Sequence, residues 1–116
     1  MGTTDRAGVA DVAREEWPSW CARTSSELGG RELVLHRADQ ATGEVRLAKG
    51  QRLVAIEHDR FGRSEVLTIK CGSDVVPVSY VVAEPRSIRQ TVGDAGDVQQ
   101  VSIVDAVGRR TRVTLA

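Results

Sequence analysis

Aromatic residues are scarce in this chain: two Trp, one Tyr and one Phe make up 3% of 116 residues. The core must therefore be assembled from Val, Leu, Ile and Ala, and the valines that recur from Val75 onward favour strands. Lysine is also rare, with Lys49 and Lys70 the only two, so nearly every cation is a forked guanidinium. An excess of charge is missing as well. Sixteen basic and sixteen acidic residues, interleaved along the chain, argue against a nucleic-acid partner or an anionic membrane surface. No apolar run approaches the roughly 20 residues that span a bilayer. Met1 to Val12 has no apolar signal-peptide core, and Cys21 and Cys71 form no CxxC pair; both point to a cytoplasmic protein.

The signatures of common chemistries are lacking too. There is no P-loop, no GxGxxG, and no GxSxG around Ser19, Ser64, Ser73 or Ser79. Hence no catalytic residue, metal-ligand set or cofactor is expected.

What the chain does have is one helical period followed by strand and turn. Trp17, Trp20, Cys21, Thr24 and Leu28 share one helical face. Glu15 and Glu16 suit the positive end of the dipole, Pro18 belongs in the first turn, and Gly29-Gly30 stops the helix. Short strands are expected over Arg31–Arg37, Glu44–Ala48 and Arg52–His58, with turns at Ala41–Gly43 and Lys49–Gln51 and a loop at Asp59–Ser64. Glu65–Cys71 alternates, with Leu67, Ile69 and Cys71 on one face. Val75–Ala83, the most apolar stretch, is expected to be central despite Pro77. Arg86–Val92 continues after Glu84-Pro85. A closing hairpin turns at Ala106–Gly108, with Val101, Ile103, Thr111, Val113 and Leu115 inward. The fold class expected is α+β: one N-terminal amphipathic helix packed on an antiparallel β-sheet or partly closed β-roll. Residues 1–11 form a flexible tail and 12–116 a single domain.

Four groups of side chains are candidates for binding. Trp17 and Trp20 either expose a ridge to a partner or seal the helix to the sheet. Glu57-His58-Asp59 could bind a metal or tune the imidazole as a base, but strand alternation sends His58 away from its acidic neighbours and only His36 could add a second imidazole. Cys71, like Cys21, lies on an apolar face and reads as a small hydrophobe. Arg110 and Arg112, beside Arg109, form the one local basic cluster, which Arg86 and Arg89 would extend if the last strands pair with Arg86–Val92.

The order of these landmarks resembles a bacterial family known as domain of unknown function 5335. Arg14-Glu15-Glu16-Trp17-Pro18 is similar to the family's helix opening. Leu33–Leu35, Leu53, Ile56 and Asp59, then Leu67-Thr68-Ile69 before Gly72, follow in the family's order. Val81–Pro85 with Ile88 and the hairpin around Gly108 complete it, although Tyr80 stands where the family commonly carries His. The resemblance implies a compact bacterial domain and brings no activity. The features favour a non-enzymatic structural or protein-interaction domain, with a second copy or another protein as partner. The alternative is a small anionic-ligand domain using Arg side chains inside a β-roll; an enzyme using His58 or Cys71 ranks last.

Overall fold

The computed structural model describes residues 8–72 and 75–116. Helical periodicity produces the one α-helix among the described residues. A 3-10 turn, Arg14–Glu16, leads into α1, Trp17–Leu28, with Pro18 in the first turn, where a missing N–H breaks no intrahelical bond. The helix buries Trp17, Trp20, Cys21, Thr24 and Leu28, the five residues spaced for one face. Beyond it, Gly30 takes φ 90 and its amide donates to the Leu53 carbonyl at 2.8 Å, tying the helix end to the sheet.

Eight strands follow the chain: β1 (Gly8–Val12), β2 (Glu32–Asp39), β3 (Gly43–Phe61), β4 (Ser64–Gly72), β5 (Pro77–Ala83), β6 (Pro85–Val92), β7 (Val98–Asp105) and β8 (Arg110–Leu115). All pairings are antiparallel, in the order β1-β6-β7-β8-β2-β3-β4-β5. Two meanders, β2–β5 and β6–β8, thus lie side by side through β8 and β2. In that order β5 is last and β6 second, yet only Glu84 separates them in sequence. The sheet must curl until its ends approach. Bonds across the gap hold it there: Arg37 Nη2 on β2 donates to the Val81 carbonyl on β5 at 3.0 Å. The Glu84 amide donates to the Glu65 carbonyl, and the Ala106 amide to the Glu84 carbonyl, each at 2.9 Å. Glu84 turns this corner with φ 52, a left-handed conformation uncommon outside glycine.

The expected α+β class is corrected by this arrangement. Among the described residues, strand accounts for 65% and helix for 14%, with eight strands in one sheet and helical structure only at residues 14–28. The protein is a mainly β fold, not a helix packed on a small sheet. One reason lies in β3, which runs unbroken through the Lys49-Gly50-Gln51 turn signal. Gly50, at φ 72, is the extra residue of a bulge between the pairs Leu33–Gln51 and Val34–Lys49. Leu47 and Val54 mark two further shifts of register. Straight, 19 residues would span about 60 Å at ~3.3 Å each, more than the longest dimension of 43 Å. The shifts bend β3 so that its first half pairs with β2 and its second with β4, and the bulged Leu47 carbonyl accepts the Tyr80 hydroxyl at 3.2 Å.

Residues 8–11, expected within a loose tail, join Val12 in an edge strand paired to β6. Its ladder rests on backbone bonds and asks for no apolar alternation, so nothing in its side chains announces it. Residues 1–7 of the expected tail, and Ser73 and Asp74 of the expected turn, lie outside the described residues. The apolar Val75–Ala83 stretch is not central: β5 is the other edge, opened by Pro77, a residue unable to donate to a ladder. The closing hairpin forms where expected. Leu33, Leu35, Leu67, Ile69, Ile88, Val101, Ile103 and Val113 line the inner face, and α1 covers it from the β3 side.

Candidate functional site

Two polar groups stand out, one inside the curl and one on its outer face. Inside, the β3–β4 hairpin folds through Gly62 and Arg63, which places Arg60 opposite Glu65 and His58 one step further on the same face. Glu65 is buried and saturated. Its Oε2 accepts from His58 Nε2 at 2.9 Å and Arg60 Nη2 at 3.2 Å, and its Oε1 accepts from Arg14 Nη1. Arg14 also donates from Nη2 to the Pro85 carbonyl at 3.2 Å and lies over the Trp17 ring, whose edge meets His58. The hydrogen bond from His58, followed by that from Arg60 and the charges of Arg14 and Arg60, holds the Glu65 carboxyl below its ordinary range against the opposing pull of burial. With three donors on one carboxylate, the cluster is a clasp that fastens the segment before α1 to the curled ends of the sheet.

The outer group arises from register. Directly paired residues share a face, so Arg46, His36, Arg112, Ser102, Arg89 and Asp11 form one row across β3, β2, β8, β7, β6 and β1. Beside it, His36, Ala38, Glu44, Val104, Arg110 and Arg112 line a hollow of about 250 Å³. Two turns form its rim. Asp39 Oδ1 accepts from the Ala41 and Thr42 amides and from the Thr42 hydroxyl, bonds that hold its carboxyl below the usual range. Asp105 accepts from the Val107 and Arg109 amides and from Arg109 Nε, fixing the turn that carries Gly108. Glu44 reaches over β2 to Arg112 at 2.7 Å, and Arg89 pairs with Asp11 at 2.9 Å. Arg110 is exposed and has no ion pair among the described residues, and the Nδ1 of His36 is buried without a hydrogen-bond partner. A second hollow, of about 320 Å³, shares Arg110 and Val104 with the first and is otherwise lined by Ser87, Arg89, Gln100 and Ser102 among others.

The sequence candidates are thereby distributed. Trp17 and Trp20 are each 1% exposed, with indole N–H groups donated to the Val12 carbonyl and to Gln90 Oε1; they seal the helix and present no ridge. His58 joins the inner clasp, while Glu57 points outward to Lys70 at 3.0 Å. Burial raises the thiols of Cys71 and Cys21, the latter to about 12, so neither forms a thiolate near neutrality. Arg89, Arg110 and Arg112 do share a face, joined through β7 rather than by direct pairing of β8 with β6. Arg86, at an irregularity in the β6–β7 register, lines neither hollow. Sequence reasoning missed Glu65, the diagonal partner of His58 across a hairpin, and the outer roles of His36 and Glu44. Apolar side chains fill the interior where an anion site was expected, and three of the four candidate arginines line the outer hollows.

No curated protein and no solved structure matches the chain. The model of a family of unknown function, DUF5335, matches residues 9–116. That span takes in all of the described strands but Gly8, and with them both polar groups, so the chain belongs to the DUF5335 family.

Proposed function

We propose that this protein is a non-enzymatic binding domain whose outer sheet face recognises an anionic group. The observation that carries the reading is the hollow over β2 and β8, where an exposed Arg110 guanidinium, with no ion pair among the described residues, lies beside Arg112 and His36. A guanidinium offers forked donors that match an oxyanion. Titration with inorganic phosphate and citrate, followed by thermal shift, tests it. Binding to the native state raises stability by about 2.7 kcal/mol at a ligand concentration 100-fold above Kd. Arg110→Ala is expected to weaken binding roughly 10-fold or more, the scale of one lost charged hydrogen bond. Arg86→Ala removes the same charge outside both hollows and is expected to change nothing. An Arg86 variant as impaired as the Arg110 variant would reduce the effect to net charge.

A second reading, self-association of two copies, is favoured by the edge strand β5. It pairs only with β4 among the described residues, and its Val78 and Val81 are 44% and 50% exposed. Such an edge invites pairing. Light scattering at rising concentration should show a dimer that Val81→Lys disperses; a monomer throughout excludes this mode.

A further inference from the structure

Resting on the anion-binding reading, we infer that the outer hollow takes a dianionic phosphate monoester and that Glu44 is its internal competitor. In the free protein Glu44 crosses β2 to hold Arg112 at 2.7 Å, so the second guanidinium of the hollow already has a carboxylate. A ligand that takes the Arg112 Nη2 donor as well as Arg110 displaces it. A monocarboxylate would exchange like for like and gain nothing from Arg112 while losing its own freedom. A phosphate monoester carries about −1.5 to −2 charges and three acceptor oxygens. It can therefore bridge Arg110 and Arg112 and still face His36. Displacing Glu44 is cheap, because its side chain is 46% exposed and that of Arg112 32%. Exposed pairs of this kind hold each other by less than about five-fold in equilibrium constant.

The second hollow indicates what the phosphate is attached to. It continues from Arg110 and offers the hydroxyls of Ser87, Thr91 and Ser102 and the Gln100 amide, with no aromatic face for stacking. Such a surface suits a hydroxyl-rich body, as in a phosphorylated sugar.

Calorimetric titration of the full chain with inorganic phosphate, a hexose 6-phosphate, the unphosphorylated hexose and acetate tests the inference. Wild type should bind the two phosphates and neither of the others, and Glu44→Gln should bind phosphate roughly two- to five-fold more tightly by releasing Arg112. Arg112→Ala, made in the Glu44→Gln background, should reverse that gain. Tighter binding of the hexose phosphate than of phosphate identifies a sugar-borne source, and equal binding identifies the free anion; either result upholds a phosphate site. Phosphate binding that Glu44→Gln leaves unchanged or weakens overturns the competitor role while the anion reading stands. Acetate binding as tightly as phosphate overturns the dianion preference. If no anion binds wild type or Glu44→Gln at millimolar concentration, the anion reading itself falls. Both positions are exposed enough for the variants to fold, which unchanged melting of the unliganded proteins would verify.

Discussion

Replacing Trp17 with alanine is expected to remove about 3–5 kcal/mol of stability. Against a total of about 5–15 kcal/mol for a domain, that is enough to leave a substantial unfolded fraction at 37 °C. The ring is buried at the start of α1, and three attachments meet on it. Its N–H donates to the Val12 carbonyl at the end of β1, Arg14 lies over its face at 4.4 Å, and His58 meets it edge-on with centroids 6.3 Å apart. Truncation leaves a void between helix and sheet and also deprives the Glu65 clasp of the surface on which Arg14 and His58 are arranged. Trp17→Phe keeps most of the apolar area and strands only the Val12 carbonyl. It should cost about 1–2 kcal/mol, the scale of one unsatisfied acceptor. Urea unfolding followed by circular dichroism measures both, and a loss below about 1 kcal/mol for the alanine variant would remove Trp17 from the core.

Why Trp17 could be placed from sequence while β3 could not is a matter of what each signal distinguishes. A helical face repeats over three turns, and five residues at the right spacing leave little freedom, so α1 and its buried set follow. Alternation likewise separated His58 from Glu57 and Asp59. A glycine between polar residues is different. Lys49-Gly50-Gln51 has the composition of a turn, yet the same left-handed backbone serves a bulge inside a continuous strand. Only the presence of β2 alongside decides between the two outcomes. β1 is illegible for a related reason, since its bonds are made by backbone to β6, about 80 residues away by the register of Gly8 with Val92.

The outer face required still more. Arg46 and His36 are neighbours in a hairpin, but Arg112, Ser102 and Arg89 join them only after β8 settles between β2 and β7. Those adjacencies come from long-range pairing, and the curl that goes with them brings β5, at one edge, to β6, second from the other, across the single residue Glu84. Local composition could show an arginine-rich hairpin. It could not show that the same fold would carry Glu44 across β2 to Arg112 and leave Arg110 uncommitted.

The inner clasp yields the second large effect. Glu65→Gln keeps the shape and removes the charge on which Arg14, His58 and Arg60 converge. Breaking a buried pair costs up to about 3–5 kcal/mol. Here the side chains of Arg14 and Arg60 are 50% and 62% exposed and can return to water, so a loss of roughly 2–3 kcal/mol is expected instead. The size of that loss should depend on pH, with a definite sign. Glu65 has a folded-state pKa below its unfolded value, so the unfolded chain binds the proton more readily in the interval between them. Its contribution is fully present above the unfolded value, near pH 4.3, and disappears as the pH falls through the folded one. As the pH falls from that unfolded value through the folded one, wild type should therefore lose stability faster than Glu65→Gln, and the gap between them should close. Asp39, lowered by its turn bonds, titrates in both proteins and cancels in the difference. A gap that stays constant over this range would mean that packing, and not the ionised carboxylate, secures the segment before α1.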